Sequence, residues 1–271
     1  MTTGVSGSRI RFPDAAADRW ELALELDGHR IAGSSVAALA TAFAVERFRA
    51  AVDMGRCSAL LAAQDTVLLT HCHSDHVAGL VAWLSAHTRR HRGRPTRVVV
   101  PEERRDPLLA ALGIWPDLDG VRRRVDLDAA LLPAAPGTTV ELADGAVATA
   151  FAVRHNTATL GWALAEAPGA RPVAVFAGDG TVEPFRDDPT LLDGVVAVVD
   201  CSFVDPGTRV AARLGGHGHL TDWLELLPDL ACDALVLAHL PPEATAESVL
   251  ARLPANLPGT SLVVPWLPGP G

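Results

Sequence analysis

Thr70-His71-Cys72-His73-Ser74-Asp75-His76 follows the apolar run Thr66 to Thr70 and precedes a segment, His76 to His87, whose apolar residues recur at helical spacing. Three of the chain's ten histidines fall within these positions. In an extended chain residues two apart point the same way, so His71 and His73 can approach one ion. As the chain turns into the helix, Asp75 and His76 are redirected and can reach a second ion nearby. Imidazoles with a carboxylate form a borderline nitrogen–oxygen donor set that suits Zn²⁺ best, with Mn²⁺ or Fe²⁺ as alternatives. Four ligands do not complete two sites, so the cluster requires partners from elsewhere in the chain.

Outward from this stretch the pattern is mixed α/β. The first seventy residues are β-rich, with strands over Trp20 to Leu26, Ala42 to Val45, Phe48 to Val52 and Thr66 to Thr70, punctuated by Gly28, Gly33 and Gly55. Helix and strand then alternate: helix His76 to His87, strand Arg97 to Val100, and helix Glu102 to Leu112 opened by Pro101. A second β-rich block covers Thr139 to Leu142, Ala146 to Val153, Leu160 to Ala165 and Val173 to Ala177. It is followed by strand Val195 to Asp200, helix Leu220 to Leu227, strand Ala234 to Ala238, helix Ala244 to Leu253 and strand Ser261 to Val264. Two such halves predict two sheets packed face to face with helices outside, in a single domain over 1–271.

Composition narrows the function classes. The 271 residues carry 32 acidic and 23 basic side chains, for a net charge of −9, and every basic residue is arginine. At 49% hydrophobic residues the chain can build a sizeable core, which excludes wholesale disorder. No apolar run approaches the ~18–20 residues of a membrane span. Met1 to Arg11 lacks the apolar stretch of a signal peptide. Cys57, Cys72, Cys201 and Cys232 form no CxxC pair, so neither a disulfide scaffold nor a zinc ribbon is indicated. The expectation is a cytoplasmic protein with no membrane partner. Between Arg89 and Arg124 ten arginines face five acids, a local +5 that leaves −14 for the remainder. That segment reads first as a solvated surface, and the global charge disfavours nonspecific nucleic-acid binding. No Walker loop, GxGxxG or GxSxG occurs, so phosphate-loop, dinucleotide and serine-hydrolase readings lack support.

The HxHxDH stretch after a strand resembles the hallmark of the metallo-β-lactamase superfamily, and further motifs resemble its short tRNase Z branch. These are Ile31-Ala-Gly-Ser-Ser-Val36, Val52-Asp-Met-Gly-Arg-Cys57, Phe151-Ala-Val-Arg-His155 with Gly161-Trp162, and Phe176-Ala-Gly-Asp179-Gly-Thr181. Asp200-Cys-Ser-Phe203, Gly216-His-Gly-His219-Leu-Thr221 and Leu235-Val-Leu-Ala-His239 follow in the family's order. The resemblance implies an αββα sandwich, two mixed β-sheets flanked by helices, around two Zn²⁺. It assigns His71, His73 and His155 to one ion, Asp75, His76 and His239 to the other, and Asp179 as the bridge. His155, Asp179 and His239 each end an apolar strand, where a sheet presents ligands at its rim. Asp75 counts among the catalytic residues as well as the ligands. His219 is the expected general acid, oriented by Asp200 where the family carries a longer Glu, although His219 also stands where a helix begins. His217 ranks below it. Asp53 is expected to accept a hydrogen bond from a ligand imidazole, and Cys72, alternating away from its neighbours, to pack. His29, His87 and His91 are expected at the surface.

The implied activity is hydrolysis of a phosphodiester by a hydroxide shared between the metals, with a small-molecule ester or phosphodiester as substrate. Thioester or lactone hydrolysis is the alternative; tRNA 3′ processing ranks lower, and a non-catalytic metal-binding scaffold lowest. Against tRNA stand the net charge of −9, the mere 24 positions from His155 to Asp179 where the family inserts a tRNA-gripping arm, and Leu240-Pro-Pro-Glu-Ala244 where it carries an arginine. A homodimer is compatible with the resemblance.

Overall fold

The computed structural model describes residues 22–26, 28–119, 125–255, 257 and 262–267, together with the backbone of two short strands, β1 (Thr3–Val5) and β2 (Ser8–Ile10), which pair with each other. Two seven-stranded sheets form the body. The first runs in chain order through β3 (Leu22–Leu26), β4 (His29–Val36), β5 (Ala40–Val45), β6 (Ala50–Val52), β7 (Thr66–Leu68), β8 (Arg97–Pro101) and β9 (Leu131–Ala134). The second runs through β10 (Thr139–Glu141), β11 (Val147–Ala152), β12 (Leu160–Ala165), β13 (Ala174–Phe176), β14 (Val196–Asp200), β15 (Ala234–Ala238) and β16 (Leu262–Pro265). In each sheet antiparallel hairpins come first and four parallel strands follow: β6 to β9 and β13 to β16.

Alternation along the strands explains the layers. In β14, Val196 and Val198 enter the core between the sheets, while Ala197 and Val199 enter a second core beneath the outer helices. In the first sheet Leu68 faces inward, and Val67 and Leu69 face a third core under the helix Leu80–Arg90. That helix buries Leu80, Trp83, Leu84 and His87, one face at 3.6-residue spacing. Arg89 and Arg90 in its last turn complement the negative end of the helix dipole. Among the described residues no helix is long and apolar enough to cross a membrane.

Four expectations change. Gly33 does not interrupt the chain but lies inside the eight-residue β4, paired with Phe43, where a Cβ would overlap the Ala42 carbonyl oxygen. The expected helix from His76 splits into Ser74–Val77 and Leu80–Arg90. His29 and His87 are buried rather than superficial: His29 edges Phe48, and His87 stacks on Trp83 between the Ala62 and Pro95 carbonyls. The basic stretch begins where Leu80–Arg90 ends and β8 starts, at the end of the first sheet opposite the one that carries His71. Arg122 to Arg124 lie outside the described residues.

Candidate metal centre

Asp53, His71, Asp179, Asp200 and His239 all emerge at or just beyond the carboxyl ends of parallel strands, the rim where open α/β sheets place their ligands. β11 points toward the same rim, so His155 arrives there too. The seven residues expected to cluster do so. Ligand atoms of His71, His73, His155 and Asp179 lie within 4.8 Å of one another, as do those of Asp75, His76 and His239. Asp179 stands between the groups: Oδ2 is 3.8 Å from His71 Nε2 and 3.3 Å from His239 Nε2, and Oδ1 is 3.4 Å from His76 Nε2.

Each tethered imidazole is held by its outer nitrogen, which fixes the inner one. His76 Nδ1 donates to Asp53 Oδ2 at 2.8 Å, His155 Nδ1 to the Gly216 carbonyl at 2.7 Å, and His239 Nδ1 to Ser202 Oγ at 2.8 Å. Thr70 Oγ1 donates to Asp53 Oδ2 at 2.8 Å and accepts from His71 Nδ1 at 3.0 Å. The inner nitrogens therefore converge on one another and on the carboxylates of Asp75 and Asp179. His71 Nε2 lies 3.0 Å and His155 Nε2 3.4 Å from His73 Nδ1, and the buried His76 Nε2 has no hydrogen-bond partner. Facing lone pairs and an orphaned buried nitrogen are what a divalent cation would satisfy, so the donor set fits a metal pair. Asp53 (φ +59°) and His239 (φ +52°) both hold left-handed backbone, which costs about 1–3 kcal/mol and re-aims their side chains at the rim.

The groups differ in charge. Burial lowers the pKa of His71, His73 and His155, so these imidazoles are neutral. Burial acts on His76 and His239 as well, but Asp53 and Asp179 beside the first, and Asp179 and Asp75 beside the second, outweigh it and hold both above the usual value. Burial opposes ionisation of Asp75, yet His239 and His76 bring it down to about 2; Asp179 is depressed further, by His76 and His239. Cys72 packs against the outer core of the first sheet, and burial with the nearby Asp53 charge pushes its thiol up to about 12, far from a thiolate ligand.

His219 does not reach this cluster. It caps the helix Leu220–Leu226, with Nδ1 accepting from Thr221 N at 3.0 Å and Nε2 donating to the Asp205 carbonyl at 2.9 Å, and it is 0% exposed. Both ring nitrogens are committed to backbone. His217 occupies the place instead: its ring stacks on His239 at 5.7 Å, edges His155 at 4.9 Å, and keeps 21% of its side chain exposed. Its Nδ1 donates to Asp200 Oδ2 at 2.8 Å, so Asp200 orients His217, not His219. Burial lowers the His217 pKa, but the Asp200 hydrogen bond and charge raise it more. The available signal was the flanking glycines. Gly216 takes φ +75°, and a Cβ at Gly218 would overlap the Asp200 carbonyl, so the loop can press onto β14 at Gly218 and set His217 beside Asp200. Ser202, which touches Asp200, His217 and His239, also escaped the sequence reading.

Known proteins bear on this geometry. The family described as the beta-lactamase superfamily domain matches residues 44–240. The chain is 25% identical over 252 residues to tRNase Z TRZ2, chloroplastic, of Arabidopsis thaliana, covering 80% of this chain and 68% of that protein. Among solved structures it resembles the metallo-beta-lactamase fold protein YhfI from Bacillus subtilis, with TM-score 0.64, 15% identity, and coverage of 87% of this chain and 95% of that one. The short form of human tRNase Z superposes with TM-score 0.59 at 18% identity, covering 76% of this chain and 90% of that one. The match over 44–240 takes in the parallel strands β6 to β9 and strands β10 to β15 with the whole histidine–aspartate rim, and the chain accordingly belongs to the metallo-β-lactamase superfamily of metal-dependent hydrolases, where it resembles the tRNase Z-like branch.

Proposed function

We propose that this protein is a dinuclear zinc-dependent hydrolase that cleaves a phosphodiester. The observation that carries the reading is the inward convergence of imidazole nitrogens around Asp179, with outer nitrogens tied to Asp53, Thr70, Gly216 and Ser202. His71, His73 and His155 would hold one ion, and Asp75, His76 and His239 the other, with Asp179 serving both. When bound, such a pair supplies a water-derived nucleophile near neutral pH and offsets the negative charge that builds on the substrate.

The chain supplies the proton. His217 takes the role expected of His219: Asp200 holds Nδ1 and favours the protonated ring, leaving the Nε2 proton for the departing oxygen. General acid catalysis of this kind contributes roughly 10²–10⁴-fold. Once the proton has left, the Asp200 contact keeps the neutral ring in one tautomer for reprotonation. A phosphodiester is favoured by the similarity to tRNase Z TRZ2 and by the placement of an acid for an alkoxide leaving group. A small diester is favoured over tRNA, because the span from His155 to Asp179 is filled by β12, β13 and their short connection. Directly beyond His239 the chain bonds back to the first sheet, the Leu240 carbonyl accepting from Ala37 N at 3.0 Å, and Leu240 to Ala244 contains no arginine.

The test is a screen of zinc-loaded protein against an aryl and an alkyl phosphodiester, a thioester, a lactone and a precursor tRNA with a 3′ trailer. Turnover of the diesters with the tRNA left intact is the expected result. Turnover confined to the thioester or lactone would replace this reading with an acyl hydrolase. Cleavage at the trailer junction would restore the RNA reading.

A further inference from the structure

Asp200 and Ser202 stand two residues apart on an extended segment and share the rim side, while Cys201 between them enters the outer core. The Ser202 hydroxyl is 2.6 Å from Asp200 Oδ1, 2.8 Å from His239 Nδ1 and 3.3 Å from His217 Nδ1. It carries one proton, and an ionised carboxylate only accepts, so that proton goes to Asp200. The hydroxyl lone pairs then face the imidazole Nδ1 positions. His239 must carry its proton on Nδ1, which leaves Nε2 facing Asp75 Oδ2 at 3.2 Å and Asp179 Oδ2 at 3.3 Å.

Asp200 does not perform this task itself. Its Oδ2 accepts from His217 Nδ1, Gly180 N and Gly218 N, its Oδ1 accepts from Ser202 N, and the nearest approach of Oδ1 to His239 Nδ1 is 3.8 Å. Ser202 spans the gap. The first sheet holds the same arrangement in other residues: Asp53 binds His76 Nδ1 directly at 2.8 Å and reaches His71 Nδ1 through the Thr70 hydroxyl.

We propose that Ser202 is a positioning residue that extends the hold of one carboxylate, Asp200, from the ring of the proton donor His217, which it binds directly, to the tautomer of the metal-facing His239. The inference rests on reading His239 as a ligand of the second ion. It makes the second ion's seat and the proton donor one mechanical unit.

The test measures zinc affinities by chelator competition on Ser202→Ala and Ser202→Thr, without reference to turnover. Removing such an outer partner typically costs 10–100-fold in metal affinity. Ser202→Ala should therefore weaken one of two binding events by that factor and leave the other unchanged, and Ser202→Thr, which keeps the hydroxyl, should restore it. Two parent-like affinities in Ser202→Ala would overturn the proposal, as would equal weakening of both that Ser202→Thr does not rescue. If the parent protein binds zinc in one event only, the two-ion reading fails instead of the role of Ser202. Circular dichroism of each variant separates a local loss from unfolding.

Discussion

Asp53 at the end of β6 and Asp200 at the end of β14 make matching contacts on opposite sheets: each holds one imidazole directly at 2.8 Å and a second through a hydroxyl, Thr70 or Ser202. On the first sheet both imidazoles, His76 and His71, belong to the metal-facing cluster, one in each group. On the second sheet only His239 faces the proposed ions from that hub, and the other ring is the partly exposed His217. The same device thus ties the two ion seats together on one side and ties an ion seat to a proton donor on the other. Damage to the Asp53 hub should cost both ions, and damage to the Asp200 hub should cost turnover together with the second ion alone.

The largest effect is expected at Asp53. Asp53→Ala strips acceptors from Thr70 N, Thr70 Oγ1 and His76 Nδ1 in a site that is 1% exposed. Breaking a buried pair of this kind costs about 3–5 kcal/mol, so urea unfolding should register that loss and metal analysis the departure of both ions. Retention of both ions would break the contrast between the sheets.

Next comes His217. His217→Ala should keep its metals and lose roughly 10²–10⁴-fold in kcat on an alkyl diester, less on an aryl diester whose leaving group needs no proton. Equal losses on both substrates would assign His217 to substrate binding. His219→Ala sharpens the comparison: it should leave turnover per bound metal intact and cost about 1 kcal/mol of stability, the usual worth of a helix cap. A kcat collapse there would return the acid role to His219.

The smallest effect is proton release. Burial lowers the values of His71, His73 and His155, whereas the neighbouring carboxylates raise those of His76 and His239, which therefore hold their protons to higher pH in the metal-free protein. Calorimetry in buffers of differing ionisation enthalpy should find protons released on filling the second seat and not the first. The sign extends to stability. A raised histidine stabilises the metal-free fold fully below about pH 6.5, and that contribution fades as pH rises through the raised value. Metal-free protein should therefore weaken on the alkaline side, and zinc-loaded protein should not.

What the sequence could disclose follows the range of the interactions. The HxHxDH stretch works by local geometry, two residues apart on a strand and then a turn, and the structure brings its four side chains together with Asp53 behind them. Strand-length apolar runs marked most strands within a few residues, including Leu160–Ala165 and Ala234–Ala238 in full. Gly33 hid β4, because a glycine that admits a neighbouring strand looks like one that breaks a strand. His217 and His219 are equivalent locally; only the Asp200 hydrogen bond and the Gly218 contact with β14 separate them, and both are tertiary. The burial of His87 likewise depends on carbonyls of Ala62 and Pro95 that no spacing rule connects.

The central claim is a two-ion centre in which Asp179 serves both halves, and metal content measured beside turnover tests it most directly. The account expects about two zinc ions per chain in the parent protein, with occupancy and hydrolysis falling together in Asp179→Ala. A parent protein that saturates with a single ion, or an Asp179→Ala variant that keeps full occupancy and activity, would contradict it.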